Sequence, residues 1–291
     1  MRRVWWGFAG LTLIVVITVI LWRLTTPAET TLERAQRTGM IRIGYAPEAP
    51  FAYRTTSGEM HGEAAVVMTW VMQRLGISQL EWVQTEWADL IPGLQAGKFD
   101  LIASGMFITC ERARLLAFSQ PTFALSPAIL VQFGNPLQIQ SFSDFRRPDR
   151  RLAVMRGAQE ATIAQILGID TAQLLFVPDV QTGLAAVLAG RADGLALTDI
   201  SIDLLVQQAP ALVERASPFV PPIINGNLSI GYGAFAMRPE DAHLRSAIDQ
   251  QLLGFIGSDE HYKLIAPFGF VREQLPNRST ASILQACEHG S

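Results

Sequence analysis

The chain has 291 residues, of which 49% are hydrophobic and 17% charged, so its composition is that of a globular protein and excludes disorder. Its formal net charge is -3, and the one dense basic cluster, "RRPDRR" at 146–151, reads as a solvated loop, which excludes a nucleic-acid partner. The length suits two units of roughly 100 to 130 residues each.

The N-terminus opens with Met1-Arg2-Arg3 and continues as "WWGFAGLTLIVVITVILW", an apolar run of 18 residues closed by Arg23. That length is at the lower limit for spanning a bilayer and long for the core of a signal peptide. The positive flank predicts that the rest of the chain is sent outward. Thr26-Pro27-Ala28 offers a small-residue cleavage site, and no cysteine follows the run, which excludes a lipoprotein. Residues 1–29 are therefore read either as a cleaved signal or as a retained membrane anchor, with an exported body from about residue 30 in both cases.

"MIRIGY" (40–45) alternates and reads as a strand, and "APEAPFAYRTTSGEMHG" as a loop. "EAAVVMTWVMQRLG" has helical periodicity and stops at Gly76. "LEWVQ" is a short strand, and "WADLIPGLQAGKFDLIASG" a helix, a turn at Gly97 and a buried strand over 99–103. The second half repeats the style, with strands at "RLAVM" (151–155), "LLFV" and "ADGLALT", each followed by a helical segment. "LSIGYGAFAMRPED" reads as a strand running into a helix N-terminus, and "AHLRSAIDQQLLGFIGS" as an amphipathic helix before the short "DEHYKLIAPFGF". From Pro276 the tail is polar and is expected to be loosely held. Strands alternating with helices predict mixed α/β layers with largely parallel sheets.

Two cysteines are present, Cys110 and Cys287; an exported compartment permits a disulfide, but their spacing leaves the pairing open. No Cys/His metal pattern exists, and His61, His243, His261 and His289 are scattered and read as surface residues. No phosphate loop of the G-x-x-x-x-G-K-[ST] type appears, so no nucleotide hydrolysis is expected.

In open α/β sheets ligands sit outside the carboxyl ends of the strands. Glu48 and Phe51 follow the first predicted strand, Phe107 to Arg112 the strand ending at Ala103, Gly157 to Glu160 that ending at Met155, and Thr198 with Asp199 the strand at 194–197. Four separate segments thus converge on one predicted cleft.

The stretches "IRIGYAPEAPFAY", "LIPGLQAGKFDLIASGMFITCER", "AFSQPTF" and "LAGRADGLALTD" resemble the family 3 extracellular solute-binding proteins of ABC importers, over residues 32 to 272. Within that family the likeness is to ectoine- and hydroxyectoine-binding proteins, in the Glu-x-x-aromatic loop and the "GMFI-x-x-ER" loop. The resemblance implies an α/β, two-lobed periplasmic-binding-protein fold of type II: two mixed sheets flanked by helices around a hinged cleft. It divides the chain into lobe 1 at 30–125, lobe 2 at 126–229, a return segment at 230–275 and a tail at 276–291. Crossovers are expected near 123–127 and 226–231. A small zwitterionic solute and the membrane permease of an importer are the implied partners, and no cofactor is implied.

The resemblance also implies roles. The Thr109 to Arg112 stretch matches the T-x-E-R motif whose arginine grips a solute carboxylate, since a guanidinium offers two parallel donors. Gly105 opens this loop. Phe107 stands where amino-acid binders carry a small polar residue, and with Phe51 and Trp87 it would form an aromatic box for a diffuse cation. Glu48 would neutralise the cationic end. Amino-acid binders place an aspartate where this chain has Thr198, with Asp199 one residue later; the two cannot face the cleft equally. Gln159 and Glu160 occupy the place of the second lobe's anion loop. Ectoine or hydroxyectoine is the favoured solute, with a polar or basic amino acid as the alternative, and a cyclohexadienyl-dehydratase-like enzyme or a tethered solute sensor as the other readings.

Overall fold

In the computed structural model, residues 28–288 are described. The apolar run of the N-terminus and its two readings lie outside them. Among the described residues no helix is long and apolar enough to cross a membrane.

The first helix, Thr31–Thr38, was not predicted from periodicity. It is set by its ends: Thr30 and Glu33 form a reciprocal capping box, and Gly39 closes it in the left-handed conformation (φ 71). The chain then enters a five-stranded sheet ordered Gln79–Gln84, Met40–Tyr45, Leu101–Ile102, Ala236–Met237, Ala117–Phe118. The first three strands run parallel, whereas Ala236–Met237 is antiparallel to both its neighbours. The second sheet is ordered Leu174–Val177, Leu152–Met155, Gly194–Thr198, Pro127–Gln132, Val213–Arg215, again with three parallel strands and one inserted antiparallel strand. In each sheet the inserted strand follows a crossing from the other one. The architecture is therefore two-lobed, and the two crossings lie side by side: Phe123–Leu125 pairs antiparallel with Gly231–Gly233. The sequence "LSIGYGAFAM", expected to be one strand, breaks into that ribbon strand and Ala236–Met237.

Alternation of side chains across each strand gives each lobe a core on both faces of its sheet. Leu101 and Met237 enter one cluster of the first lobe, Ile102 and Ala236 the other. In the second lobe Ala153, Met155, Leu195 and Leu197 face one side, and Leu152, Val154 and Ala196 the opposite one. Strands buried on both faces read in sequence as continuous apolar runs, as "LAVM" and "GLALT" do.

Two expectations are corrected. The tail is not loose: Thr280–Glu288 is helical, Ile283 and Leu284 pack on the first lobe's core, and Thr280 Oγ1 donates to the Ser119 carbonyl. Cys287 on this helix is disulfide-bonded to Cys110. Second, His261 is not a surface residue. It is fully buried beside Phe255, its Nδ1 accepts from Gly257 N, and burial pushes its pKa down to about 4, so it is a neutral core side chain.

The disulfide spans a sequence separation of 177 residues, so it constrains a long loop of the unfolded chain. Replacing both cysteines by serine should lower the free energy of unfolding by about 2 to 4 kcal/mol. Urea unfolding would show this as a lower midpoint with a steeper slope, because the released unfolded chain exposes more surface. Reductant added to the unaltered protein should reproduce the shift.

Candidate functional site

The site is built from loops at the carboxyl ends of the strands. After Met40–Tyr45 the chain makes a tight turn in which Phe51 N and Ala52 N both donate to the Glu48 carbonyl (2.9 and 3.0 Å). This turn contains the cis Ala49-Pro50 bond and sets Glu48 and Phe51 on one side. Ser104, following Leu101–Ile102, ties the neighbouring loop to it: its hydroxyl accepts from Ala46 N at 2.9 Å. Gly105 then turns with φ 67, and a Cβ there would come within 2.5 Å of the Phe51 ring. Both the backbone and the close approach demand glycine.

Thr109 caps the short helix Cys110–Ala113 by accepting from Arg112 N at 3.2 Å. This cap directs Arg112 inward, where it is 7% exposed. Its Nη1 donates to the Phe107 carbonyl (2.8 Å) and its Nη2 to the Gly157 carbonyl of the other lobe (2.9 Å). Its guanidinium lies 5.6 Å from the Trp87 ring centre. No ion pair of Arg112 with Glu111 or Glu86 occurs among the described residues. Two of the five guanidinium donors are used on carbonyls, which leaves donors for a carboxylate.

From the second lobe, Glu160 lies in the first turn of Gln159–Ile166, and Thr198 caps Asp199–Gln208. Between the lobes lies a cavity of about 20 Å³. Glu48, Phe51, Trp87, Gly105 and Phe107 line it from one lobe, and Gln159, Glu160 and Thr198 from the other. Ala158 lies in the 157–160 segment that the sequence placed at the cleft without giving it a role, and Met155 and Leu197, which complete the wall, were missed. They are apolar strand-end and cap residues, and nothing in their type marks them as anything but core. On its outer side the cleft widens into a space of about 730 Å³ that shares Glu48, Trp87 and Met155 with the inner cavity. The inner cavity holds little more than a water molecule, so a solute enters only when the lobes part.

Three expected residues stand outside the cavity wall. Thr109 acts as the cap described above. Arg112 sits behind the wall, holding the carbonyls of Phe107 and Gly157. Asp199 is turned away: its carboxylate accepts from Ile200 N at 2.8 Å and senses Arg215 and Asp203 on the outer surface. The strand ends at Thr198, which caps the helix, and Asp199 is the first helical residue, so the turn into the helix carries its side chain away from the cavity.

Phe51 and Phe107 are joined through Phe123 and are not free walls, whereas Trp87 stands apart from them. Phe51 stacks on Phe123 with ring centres 5.1 Å apart, and Phe107 meets Phe123 edge-on at 6.1 Å. Both are also core residues of the first lobe. Phe123, on the crossing ribbon, is a support the sequence did not single out. Trp87 packs against core residues of both lobes.

Burial sets the electrostatics. It pushes the Glu48 carboxyl up to about 8, against the Ser201 hydrogen bond and with the help of Glu160. Burial pushes Glu160 up to about 7, opposed by its own backbone N–H and by Arg112. Burial lowers Arg112 to about 10, opposed by Glu160 and Glu111. The closed cleft thus holds one cation and two carboxyl groups that resist ionisation.

The chain matches the model of the bacterial extracellular solute-binding proteins, family 3, over residues 41–270. It is 33% identical over 258 residues to a probable amino-acid ABC transporter periplasmic-binding protein of Sinorhizobium fredii, covering 87% of this chain and 85% of that one. Among solved structures it resembles EhuB in complex with hydroxyectoine, with a TM-score of 0.80, 32% identity, and coverage of 88% of this chain and 98% of that one. It also resembles an ancestral amino acid-binding protein described as a precursor of cyclohexadienyl dehydratase, with a TM-score of 0.72, 26% identity, and coverage of 82% and 99%. The fold and the cleft are those of a two-lobed solute-binding protein of type II. The chain belongs to family 3 of the bacterial extracellular solute-binding proteins, which bind small solutes and work with the permeases of ABC importers of the amino-acid type.

The raised carboxyls carry a pH dependence. Groups whose pKa is raised on closure bind protons more tightly in the closed form, so closure is favoured at low pH and weakens as pH rises from the ordinary carboxyl range through about 7 and 8. In solute-free protein the radius of gyration should therefore grow between pH 5 and pH 9, as seen by small-angle scattering. A constant radius would contradict this charge arrangement.

Proposed function

We propose that this chain captures a compact ring zwitterion, ectoine or hydroxyectoine, on the outer face of the cell membrane and presents it to the permease of an ABC importer. The observation that carries the reading is the composition of one cavity. Phe51, Trp87, Phe107 and Glu48 line it, and Arg112 stands behind the wall where it holds the Phe107 and Gly157 carbonyls. Aromatic faces and a carboxylate suit a delocalised cation, and a guanidinium suits a carboxylate. Position 198 is a threonine whose hydroxyl is already bonded to Ser201, so no second-lobe carboxylate is offered there to an α-ammonium group. The likeness to the hydroxyectoine complex supports the same solute class.

A polar or basic amino acid is the second reading, and Glu160 favours it. This second carboxyl faces the cavity and would match an additional positive charge on the solute. In either case the protein works by capture: solute contacts both lobes and shifts an open–closed equilibrium toward closed. We infer no catalysis, because a buried carboxyl alone does not place a proton donor against a leaving group. Residues 1–29 are proposed either to leave after export or to tether the body to the membrane.

Calorimetric titration of solute-free protein with ectoine, hydroxyectoine, glycine betaine and an amino-acid panel tests the reading, with turnover of a cyclohexadienyl substrate assayed alongside. Ectoine or hydroxyectoine should bind at micromolar affinity or tighter. Arg112→Ala should abolish binding, a loss of about 100-fold or more. Phe107→Ser should weaken ectoine about tenfold and ordinary amino acids much less. Equal losses for the two classes would remove the aromatic box from the account.

A further inference from the structure

Ser201 was not singled out by the sequence, yet it makes the one side-chain hydrogen bond from the second lobe to a predicted solute-binding group among the described residues. Its hydroxyl donates to Glu48 Oε1 at 2.8 Å. The hydroxyl of Thr198 donates in turn to Ser201 Oγ at 2.9 Å, and Ser201 N donates back to Thr198 Oγ1 at 3.2 Å. Ser201 is 1% exposed and lies in the first turn of the ten-residue helix Asp199–Gln208. The Thr198 proton is thus committed to Ser201, whose own proton points across the cleft to the Glu48 carboxyl at 2.8 Å, with the Ala49 carbonyl farther off at 3.5 Å.

We propose that Ser201 is a positioning residue that latches the closed cleft by holding Glu48, so that recognition of the solute's cation and closure of the lobes become one event. This rests on the reading of Glu48 as the cation-binding group. In the parted lobes Glu48 would be hydrated and mobile. On closure one oxygen is taken by Ser201, and the turn Glu48–Ala52 fixes the rest of the side chain against the cavity. A carboxylate held at one oxygen presents the other in a set direction, and the positive end of the helix lies on the same side. The Arg112 contact with the Gly157 carbonyl closes the other flank of the same cavity. Among the described residues these two lobe-to-lobe hydrogen bonds each engage a residue that the proposed function assigns to the solute, and a third, longer one runs from Ser201 Oγ to the Ala49 carbonyl at 3.5 Å. A hydrogen bond made only in the closed form slows opening and leaves encounter with the open form unchanged.

The test uses stopped-flow tryptophan fluorescence with ectoine and hydroxyectoine, and small-angle scattering of the solute-free protein. Ser201→Ala should raise the dissociation rate about tenfold, leave the association rate within about twofold, and enlarge the solute-free radius of gyration. Ser201→Thr, which keeps the hydroxyl, should restore the slow dissociation. In a Glu48→Ala background, which removes the acceptor, Ser201→Ala should enlarge the solute-free radius of gyration markedly less than in the unaltered chain. Unchanged dissociation in Ser201→Ala, or the same enlargement in both backgrounds, would overturn the latch. If no solute of the panel binds the unaltered chain, the proposed function falls and scattering decides the latch: equal radii for the unaltered protein and Ser201→Ala overturn it, and a larger radius for the variant upholds it.

Discussion

The guanidinium of Arg112 touches the backbone of both lobes, and the site is arranged around that contact. A buried cation must be paired or hydrogen-bonded, or burial becomes too costly to sustain. Here two carbonyls, one from each lobe, supply the bonds, and the Trp87 ring supplies a face. The helix that carries Arg112 has only four residues and could not hold this geometry alone. It is held from one end by the Thr109 cap and from the side by the disulfide to the C-terminal helix. The C-terminal segment, far away in sequence, thus supports the short helix that carries Arg112.

The second dependence is the crossing ribbon. Phe123 sits on it, and Phe51 and Phe107 pack against Phe123, so the aromatic wall of the cleft rests on the strand pair that joins the lobes. Gly233 permits this, because a Cβ there would fall 2.0 Å from the Phe123 ring. The aromatic residues of the cleft and the crossing ribbon therefore share one packed cluster. Packed aromatic clusters move between discrete arrangements more readily than they deform. A binding protein gains from this arrangement, since a cavity assembled only on closure discriminates solutes by how well they let the lobes meet.

The balance of charge adds a further constraint. Glu48 and Glu160 line one small cavity, and a single guanidinium, that of Arg112, stands behind its wall. Desolvation disfavours ionising both carboxyls, so a cationic group on the solute would do work that the protein leaves undone. The same arrangement explains why an apparently ordinary loop glutamate, Glu48, becomes a sensitive part of the cleft once Ser201 approaches it from the other lobe.

The periodicities by themselves determined the α/β class, most of the strands and helices, and the loops that flank the cleft. They did so because strand and helix repeats and strand-end loops are local properties of the chain. The "GMFITCER" stretch also pointed to Arg112 and Phe107, through residue type and motif. Tertiary structure decided what depends on distance through space: the Cys110–Cys287 pairing, the burial of His261, the docking of the Thr280–Glu288 helix, and the choice of Thr198 over Asp199 as the inward residue. It also decided the roles of Ser201 and Phe123. A serine three residues after a helix cap and a phenylalanine in an apolar strand look unremarkable in sequence. Each matters only because folding sets it against a residue from another segment, Glu48 for one and Phe51 with Phe107 for the other.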